Sequence, residues 1–129
     1  MAAGIFLNSS TIPFLPEIYG KEIDKVIIPT NKIRVVATAY SSTVEQTDDT
    51  PHITASNKQV YDGILAANFL KFGTKVKIPK FFGEKIFTVE DRMNRRFNDA
   101  NPPRVDVWFS TVAEARKFGV KTLDIEVYN

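Results

Sequence analysis

Short apolar runs alternate with polar turns from Lys32 to the end of the chain. Runs rich in β-branched and aromatic residues predict six strands, at residues 33–40, 63–68, 74–79, 85–89, 104–109 and 123–128. The last run alternates Leu, Ile and Val with Asp124 and Glu126, which is typical of a half-buried strand. Short strands separated by Gly and Pro turns predict a mainly β domain, in the form of a small barrel.

One segment has the pattern of a helix. Ser110 or Thr111 can cap it, Glu114 falls in its first turn, and Gly119 ends it. The apolar positions recur every three residues and give one face: Val112, Ala115 and Phe118. The sequence therefore predicts one short C-terminal helix at residues 111–118.

The first 32 residues differ from the rest. Residues 2–15 are apolar in patches, but polar residues and Pro13 interrupt them well short of a membrane span, and no basic segment precedes them as in a signal peptide. Residues 23–29 alternate as a strand would, so they form either one added strand or a linker. We expect an N-terminal segment at 1–32 and a single domain at 33–129.

Composition excludes several classes of function. With 129 residues and 43% hydrophobic residues the chain suits one domain with a real core. A net charge of +2 is low for a nucleic-acid module. The chain has no cysteine and one histidine, His52, so neither thiolate nor multi-histidine metal sites are possible. We expect no metal, no cofactor, no nucleic-acid partner, and a monomer.

Two aspartates lie in apolar runs. Asp91 closes the run at residues 87–91, and Asp106 interrupts the run at 104–109. An aspartate within a strand is costly unless it is hydrogen-bonded or has a chemical role. The polar loop at 94–103 can bring both to one cleft. Each is either a functional acid or a turn residue that accepts backbone N–H groups.

Six short motifs follow one another in a fixed order: Ala39-Tyr40, Thr54-Ala55-Ser56, Ile64-Leu65-Ala66-Ala67-Asn68, Phe72-Gly73-Thr74-Lys75-Val76, Val89-Glu90-Asp91 and Val105-Asp106-Val107-Trp108-Phe109. This ordered set, over residues 33–128, resembles the three-aspartate domain of the lytic transglycosylase A family. The resemblance implies a six-stranded double-psi β-barrel, the fold also found in rare lipoprotein A, expansins and family 45 endoglucanases.

The resemblance also implies a site. Asp106 takes the place of the catalytic acid/base, and Asp91 that of the aspartate opening the family's Asp-Thr-Gly. Asn68 and Thr54 would shape the site. Further substrate contacts would come from three side chains: Tyr40, Arg92 and Trp108.

The implied reaction needs one carboxyl group. It protonates the glycosidic oxygen between N-acetylmuramic acid and N-acetylglucosamine. The resulting carboxylate takes the proton of the muramyl C6 hydroxyl, which attacks its own anomeric carbon to give a 1,6-anhydro sugar. Because the nucleophile is intramolecular, no second carboxylate is needed to activate water.

The chain departs from the family pattern at three positions. Asn68 stands where the family has its first aspartate, and its amide cannot share a proton as a carboxylic acid does. Met93 stands in place of the glycine of Asp-Thr-Gly. Asn57 stands in place of a turn glycine, a mild change because Asn tolerates a left-handed turn.

Charge and aromatic residues near the aspartates leave alternatives open. The arginines lower a neighbouring carboxyl pKa, whereas burial raises it. They either contact muramyl lactyl or peptide carboxylates or form a solvated loop with structural ion pairs. The four are Arg92, Arg95, Arg96 and Arg104. Trp108 either stacks on a sugar or belongs to the core.

Three functions follow from these residues. The first is a peptidoglycan-cleaving, lytic transglycosylase-like enzyme that acts on glycan strands. The second is a non-catalytic module that binds cell-wall glycan. The third is an interaction domain that uses the barrel as a scaffold. The first two imply an extracytoplasmic location, in the cell envelope or secreted.

Overall fold

The computed structural model describes residues 29–42 and 52–128. The strands are β1 (Asn31–Tyr40), β2 (Ile64–Ala67), β3 (Lys75–Lys77), β4 (Ile86–Asp91), β5 (Arg104–Trp108) and β6 (Lys121–Tyr128). The helices are α1 (Pro79–Phe82) and α2 (Val112–Phe118), with a 3-10 helix at Arg95–Phe97. In the described part, no helix is long and apolar enough to cross a membrane.

All six strands belong to one sheet. Hydrogen-bonded neighbours follow the order β1-β5-β2-β4-β3-β6, and β6 pairs with β1, so that the ring of pairings closes. The β1–β5 and β2–β4 pairs are parallel, and the other four are antiparallel. The prediction of a mainly β fold is confirmed.

The predicted strands agree with the observed ones to within a few residues at each end. β1 begins at Asn31, two residues before the expected domain boundary. The possible strand at 23–29 lies, apart from Pro29, outside the described residues. Alternate side chains of the strands fill one core, which includes Val35, Ala37, Leu65, Phe87, Val89, Val105, Val107, Leu123, Ile125 and Val127.

Helix α2 forms as the sequence predicts. Of the two possible caps, Thr111 has the role: its Oγ1 accepts a hydrogen bond of 3.1 Å from the backbone N–H of Glu114. The helix buries Ala115 and Phe118, and Gly119 follows it at a φ of 70°. A positive φ favours glycine, which is why the helix ends there.

A second helix was not predicted from the sequence. Helix α1 has only four residues, too few for a helical period to show in the pattern. Pro79 starts it and Gly83 ends it at a φ of 57°. Its Phe82 ring packs edge-on against Phe87, 5.0 Å between centroids, and so joins the helix to the core. The expectation of a single helix is therefore wrong.

The face of the sheet opposite the core, here called the outer face, carries a smaller apolar cluster. It consists of Tyr40, Ile64, Ala66 and Trp108, with Val60 and Met93 packed against it. These residues alternate along β2 and β5 with those of the main core. The segment before β2 and the loop after β4 therefore cover part of this face.

Candidate functional site

The two aspartates lie in one row across four strands on the outer face. Thr38 of β1 pairs with Asp106 of β5, and Asp106 pairs with Ala66 of β2. On its other side Ala66 pairs with Asp91 of β4. Because directly paired residues point to the same face, both carboxyl groups flank Ala66 on the outer face. The structure thus brings together the two predicted acids.

A β-bulge puts Asp91 on that face. Leu65 pairs with Val89, but the next residue of β2, Ala66, pairs with Asp91, so Glu90 is the extra residue of β4. Strict alternation would have turned Asp91 toward the core together with Val89. The bulge changes this orientation and places Asp91 beside Asp106.

Among the residues that the structure describes, three donors hold the Asp91 carboxylate. Its Oδ2 accepts a hydrogen bond of 2.7 Å from the Tyr40 hydroxyl. Its Oδ1 accepts from the backbone N–H of Ala55 at 2.9 Å and from that of Arg92 at 3.0 Å. Such a carboxylate is fixed in position and ties the segment around Ala55 to β4.

The Asp106 carboxyl has a different environment. Its Oδ1 accepts a 2.8 Å hydrogen bond from the Thr38 hydroxyl, the only donor to it among residues 29–42 and 52–128. Burial raises its pKa to about 6, and the charge of Asp91 adds to this, while Thr38 and Arg104 act in the opposite direction. A carboxyl with this pKa exchanges its proton close to neutral pH, as a general acid/base must.

Tyr40 holds the Asp91 carboxylate through its hydroxyl. Its hydroxyl donates to Asp91, and its pKa is raised by burial and by the charge of Asp91, so it remains a neutral donor. The charge of Asp106 acts on it in the same direction. The sequence predicts Tyr40 as a substrate contact, and in the structure its hydroxyl donates to Asp91.

A third acid, Glu90, was missed from the sequence. Its side chain is buried, accepting from the Ser56 hydroxyl at 2.8 Å and the Tyr61 hydroxyl at 3.2 Å. The Nζ of Lys58 lies 3.9 Å from Oε2 of Glu90. Its position as the bulged residue, next to Asp91, was not visible in a period-two pattern. Its contacts fasten the segment before β2 and make it a structural neighbour of the site.

Thr54 shapes that segment. It is buried, and its Oγ1 accepts a 3.1 Å hydrogen bond from the backbone N–H of Lys58. Asn57 within this turn has a φ of 67°, the left-handed conformation expected of it from the sequence. Thr54 therefore supports Ala55, whose backbone N–H donates to Asp91. Among the described residues, the Thr54 side chain forms no hydrogen bond with Asp91 or Asp106.

Asn68 holds a loop. Its amide donates to the carbonyl of Asn94 at 3.1 Å and to Oδ1 of Asn98 at 2.9 Å, and its own Oδ1 accepts from the N–H of Met93 at 2.8 Å. These bonds use the side chain to fix the chain after β4. Among the described residues, Asn68 forms no hydrogen bond with the carboxyl group of Asp91 or Asp106.

Arg92 also has a structural environment. Its Nη1 donates to the carbonyls of Ala67 and Leu70, the latter at 2.9 Å. The guanidinium lies 3.8 Å from the centre of the Phe72 ring. These contacts brace the loop after β2, and Arg92 is still exposed to solvent.

Trp108 is part of the outer apolar cluster. It exposes only 8% of its surface and its Nε1 donates a 2.7 Å hydrogen bond to the Ser42 hydroxyl. Of the two alternatives, these contacts favour packing over sugar stacking. It lies two residues after Asp106 on β5, on the same face of the strand.

Thr38 belongs to the site although it was not singled out from the sequence, and so does Arg104, one of the four arginines noted near the aspartates. Thr38 is two residues from Tyr40 and Arg104 two from Asp106, so the period-two alternation already puts them on one face. Among the described residues, no group of three His, Asp or Glu side chains forms a metal site. Neither the models of protein families nor the curated proteins gave a match to this chain.

Proposed function

We propose that this chain cleaves the glycan strands of peptidoglycan as a lytic transglycosylase-like enzyme, with Asp106 as its acid/base. The observation that carries the proposal is the half-buried Asp106 carboxyl, whose pKa is raised to about 6 beside a second, fixed acid. Perturbed carboxyl pairs of this kind occur at catalytic sites because they assign one group to proton transfer.

The reaction uses Asp106 twice. As an acid it gives its proton to the glycosidic oxygen while the bond from that oxygen to the muramyl anomeric carbon breaks. As a carboxylate it then takes the proton of the muramyl C6 hydroxyl, whose oxygen bonds to the anomeric carbon. The proton is returned, and the products are a shortened glycan and a 1,6-anhydro end.

Asp91 supports this chemistry without transferring a proton. Its three hydrogen bonds fix its carboxylate on the far side of Ala66, where its charge raises the pKa of Asp106. A fixed negative group near the developing oxocarbenium ion also stabilises positive charge in the transition state. Tyr40 keeps Asp91 in that place.

The finer fold assignment belongs to the same proposal. We infer a double-psi β-barrel for the closed sheet, supported by its two parallel pairs, β1–β5 and β2–β4, joined by antiparallel ones. Peptidoglycan, the proposed substrate, lies outside the cytoplasmic membrane, so the proposal places the protein there as well. It also takes the protein to act on glycan strands as a monomer.

The second candidate is a module that binds cell-wall glycan without cleaving it. The contacts of Asn68 favour it, because the position of the family's first aspartate here carries an amide that holds a loop. With Asn68 in place of that aspartate, the site keeps its shape but has one carboxyl group fewer than the family pattern. This candidate predicts binding to isolated cell walls with no released product.

The test is digestion of purified sacculi, with mass spectrometry of the soluble muropeptides. The wild type should release 1,6-anhydro muropeptides, and Asp106→Asn should not. Asp124→Asn is the matched control, because Asp124 sits in an exposed pair with Arg34 at 3.2 Å. Release that persists in Asp106→Asn, or products with reducing ends only, would exclude the proposed chemistry. Sedimentation with sacculi without release would support the binding module.

A further inference from the structure

Arg104 occupies the outer face next to the proposed acid. It lies on β5 two residues before Asp106, so the two side chains share that face. The rise of a strand puts their Cα atoms about 6.6 Å apart. Arg104 also acts on Asp106 electrostatically, since its charge lowers the pKa that burial raises. A group bound by Arg104 would therefore lie beside the reacting bond.

An aromatic ring holds the Arg104 guanidinium. Its central carbon lies 4.8 Å from the centre of the Phe97 ring, and that of Arg96 lies 4.7 Å from the same ring. Two cations thus share one aromatic residue, and one of them, Arg104, lies on the same strand as Asp106. Like charges this near each other repel, which favours an anion between or beside them.

Within the described part of the chain, the Arg104 guanidinium has no hydrogen-bond acceptor. Its Nε is buried without a hydrogen-bond partner, and no carboxylate within the described ranges pairs with either arginine. Leaving a buried donor unsatisfied is unfavourable for folding. Arg34, by contrast, pairs with Asp124. A guanidinium kept in place by stacking, with its outer N–H groups unpaired by the described chain, is suited to bind an external anion.

The segment from Asn94 to Asn98, which carries the Phe97 ring, is pre-organised. Asn68 donates to Asn94 and Asn98 on either side of the 3-10 helix that carries Phe97. The Asn94 side chain also accepts from the N–H of Arg96 at 2.9 Å. A ring held in this way fixes the guanidinium before a ligand arrives, which lowers the entropic cost of binding.

We propose that Arg104, assisted by Arg96, forms a carboxylate-binding subsite beside Asp106 that recognises the acidic part of the glycan. The carboxylate belongs either to the lactyl ether of the muramyl sugar or to its attached peptide. A guanidinium binds a carboxylate through two parallel hydrogen bonds, which makes it selective for an acidic sugar over a neutral one. The inference rests on the proposed function for its ligand, and it selects one arginine of the four as the recognition residue.

The experiment is an NMR titration of the ¹⁵N-labelled full chain at pH 7, following the Arg104 Nε–H signal, which its burial protects from exchange. The probes are N-acetylglucosamine, which lacks a carboxylate, N-acetylmuramic acid, which has the lactyl carboxylate, and muramyl dipeptide, whose carboxylate is on the peptide. An acidic probe should shift the Arg104 signal and bind at least about tenfold more tightly than N-acetylglucosamine. Which acidic probe binds more tightly identifies the source of the carboxylate.

Variants sharpen the assignment. Arg104→Gln should remove the preference for acidic sugars, and Arg104→Lys should keep part of it, because lysine retains the charge but not the planar fork. Arg34→Gln on β1 is the control and should retain the full preference. Equal binding of acidic and neutral probes, including no measurable binding of any, overturns the inference, as does a preference that survives in Arg104→Gln.

Failure of this inference and failure of the proposed function give different results. If anhydro muropeptides are released while the probes show no carboxylate preference, the subsite is wrong and the enzyme stands. If acidic probes bind through Arg104 but sacculi are not cleaved, the subsite stands and the chain is a binding module.

Discussion

Asp91 and Asp106 flank the same alanine, yet their surroundings are opposite. From the described residues, Asp91 accepts three hydrogen bonds, two of them from backbone N–H groups. Within the described ranges, Asp106 accepts one, from the Thr38 hydroxyl, and its pKa is raised to about 6 mainly by burial. Two identical side chains on neighbouring positions are thus suited to different tasks, one to hold a charge in place and one to exchange a proton.

The location within the strand explains the difference. Asp91 ends β4, where the backbone N–H groups of the following residue and of the segment before β2 are available to a side chain. Asp106 is in the middle of β5, between β1 and β2, where neighbouring N–H groups serve the sheet ladders. Among the described residues, Asp106 accepts only from the Thr38 side chain, and burial has the largest effect on its pKa.

The largest expected effect is on catalysis in Asp106→Asn. Removing the acid should lower muropeptide release by about 100-fold or more, because general acid/base catalysis contributes on that scale. The thermal midpoint should be unchanged or higher, since the substitution removes a carboxyl that burial destabilises when ionised and keeps an acceptor for Thr38. Release assays and thermal unfolding of both proteins measure this. A midpoint several degrees lower, with no release in the wild type, would make Asp106 a structural residue.

The second effect is the pH dependence of stability. Asp106 has a folded pKa of about 6, above its ordinary value of 3.8, so the folded state retains a proton that the unfolded state loses. Between about pH 4 and pH 6 the wild type should lose stability relative to Asp106→Asn, by up to about 3 kcal/mol in total, and the difference should stay constant above that window. Urea unfolding of both proteins from pH 4 to 8 tests the sign. A flat difference would mean that the carboxyl pKa is ordinary.

The third effect is the stability of Asp91→Asn. An amide cannot accept from all three donors with the strength of a carboxylate, so the free energy of unfolding should fall by about 2 kcal/mol. Loss of the Asp91 charge should also lower the pKa of Asp106. The control Asp62→Asn removes only an exposed pair with Lys85 and should cost less than about 0.5 kcal/mol. Equal losses in the two variants would contradict the special position of Asp91.

The smallest effect is expected in Tyr40→Phe. It removes one of the three donors to Asp91 and leaves the ring in the outer cluster, so unfolding free energy should fall by about 1 kcal/mol and release should drop severalfold. Tyr128→Phe is the control: its hydroxyl donates to Glu126 at 2.7 Å, in contact with neither aspartate. Equal release by Tyr40→Phe and Tyr128→Phe would show that fixing Asp91 is unimportant for the reaction.

The sequence by itself determined the strands and helix α2. Alternating apolar residues in the last run and the cap at Thr111 have local causes, so a local pattern finds them. The two acids were also found locally, because an aspartate inside an apolar run is unusual wherever it occurs. Helix α1 escaped because four residues do not show a period.

The tertiary structure alone decided how the acids meet. The bulge at Glu90 arises from the pairing of β4 with β2, which are 18 residues apart in the chain, and it turns Asp91 to the face of Asp106 against the alternation of its own strand. The contacts that commit Asn68 to a loop likewise join distant segments. Hydrogen-bond partners and burial set the chemistry of a carboxyl group, and both depend on residues that only the folded chain brings together.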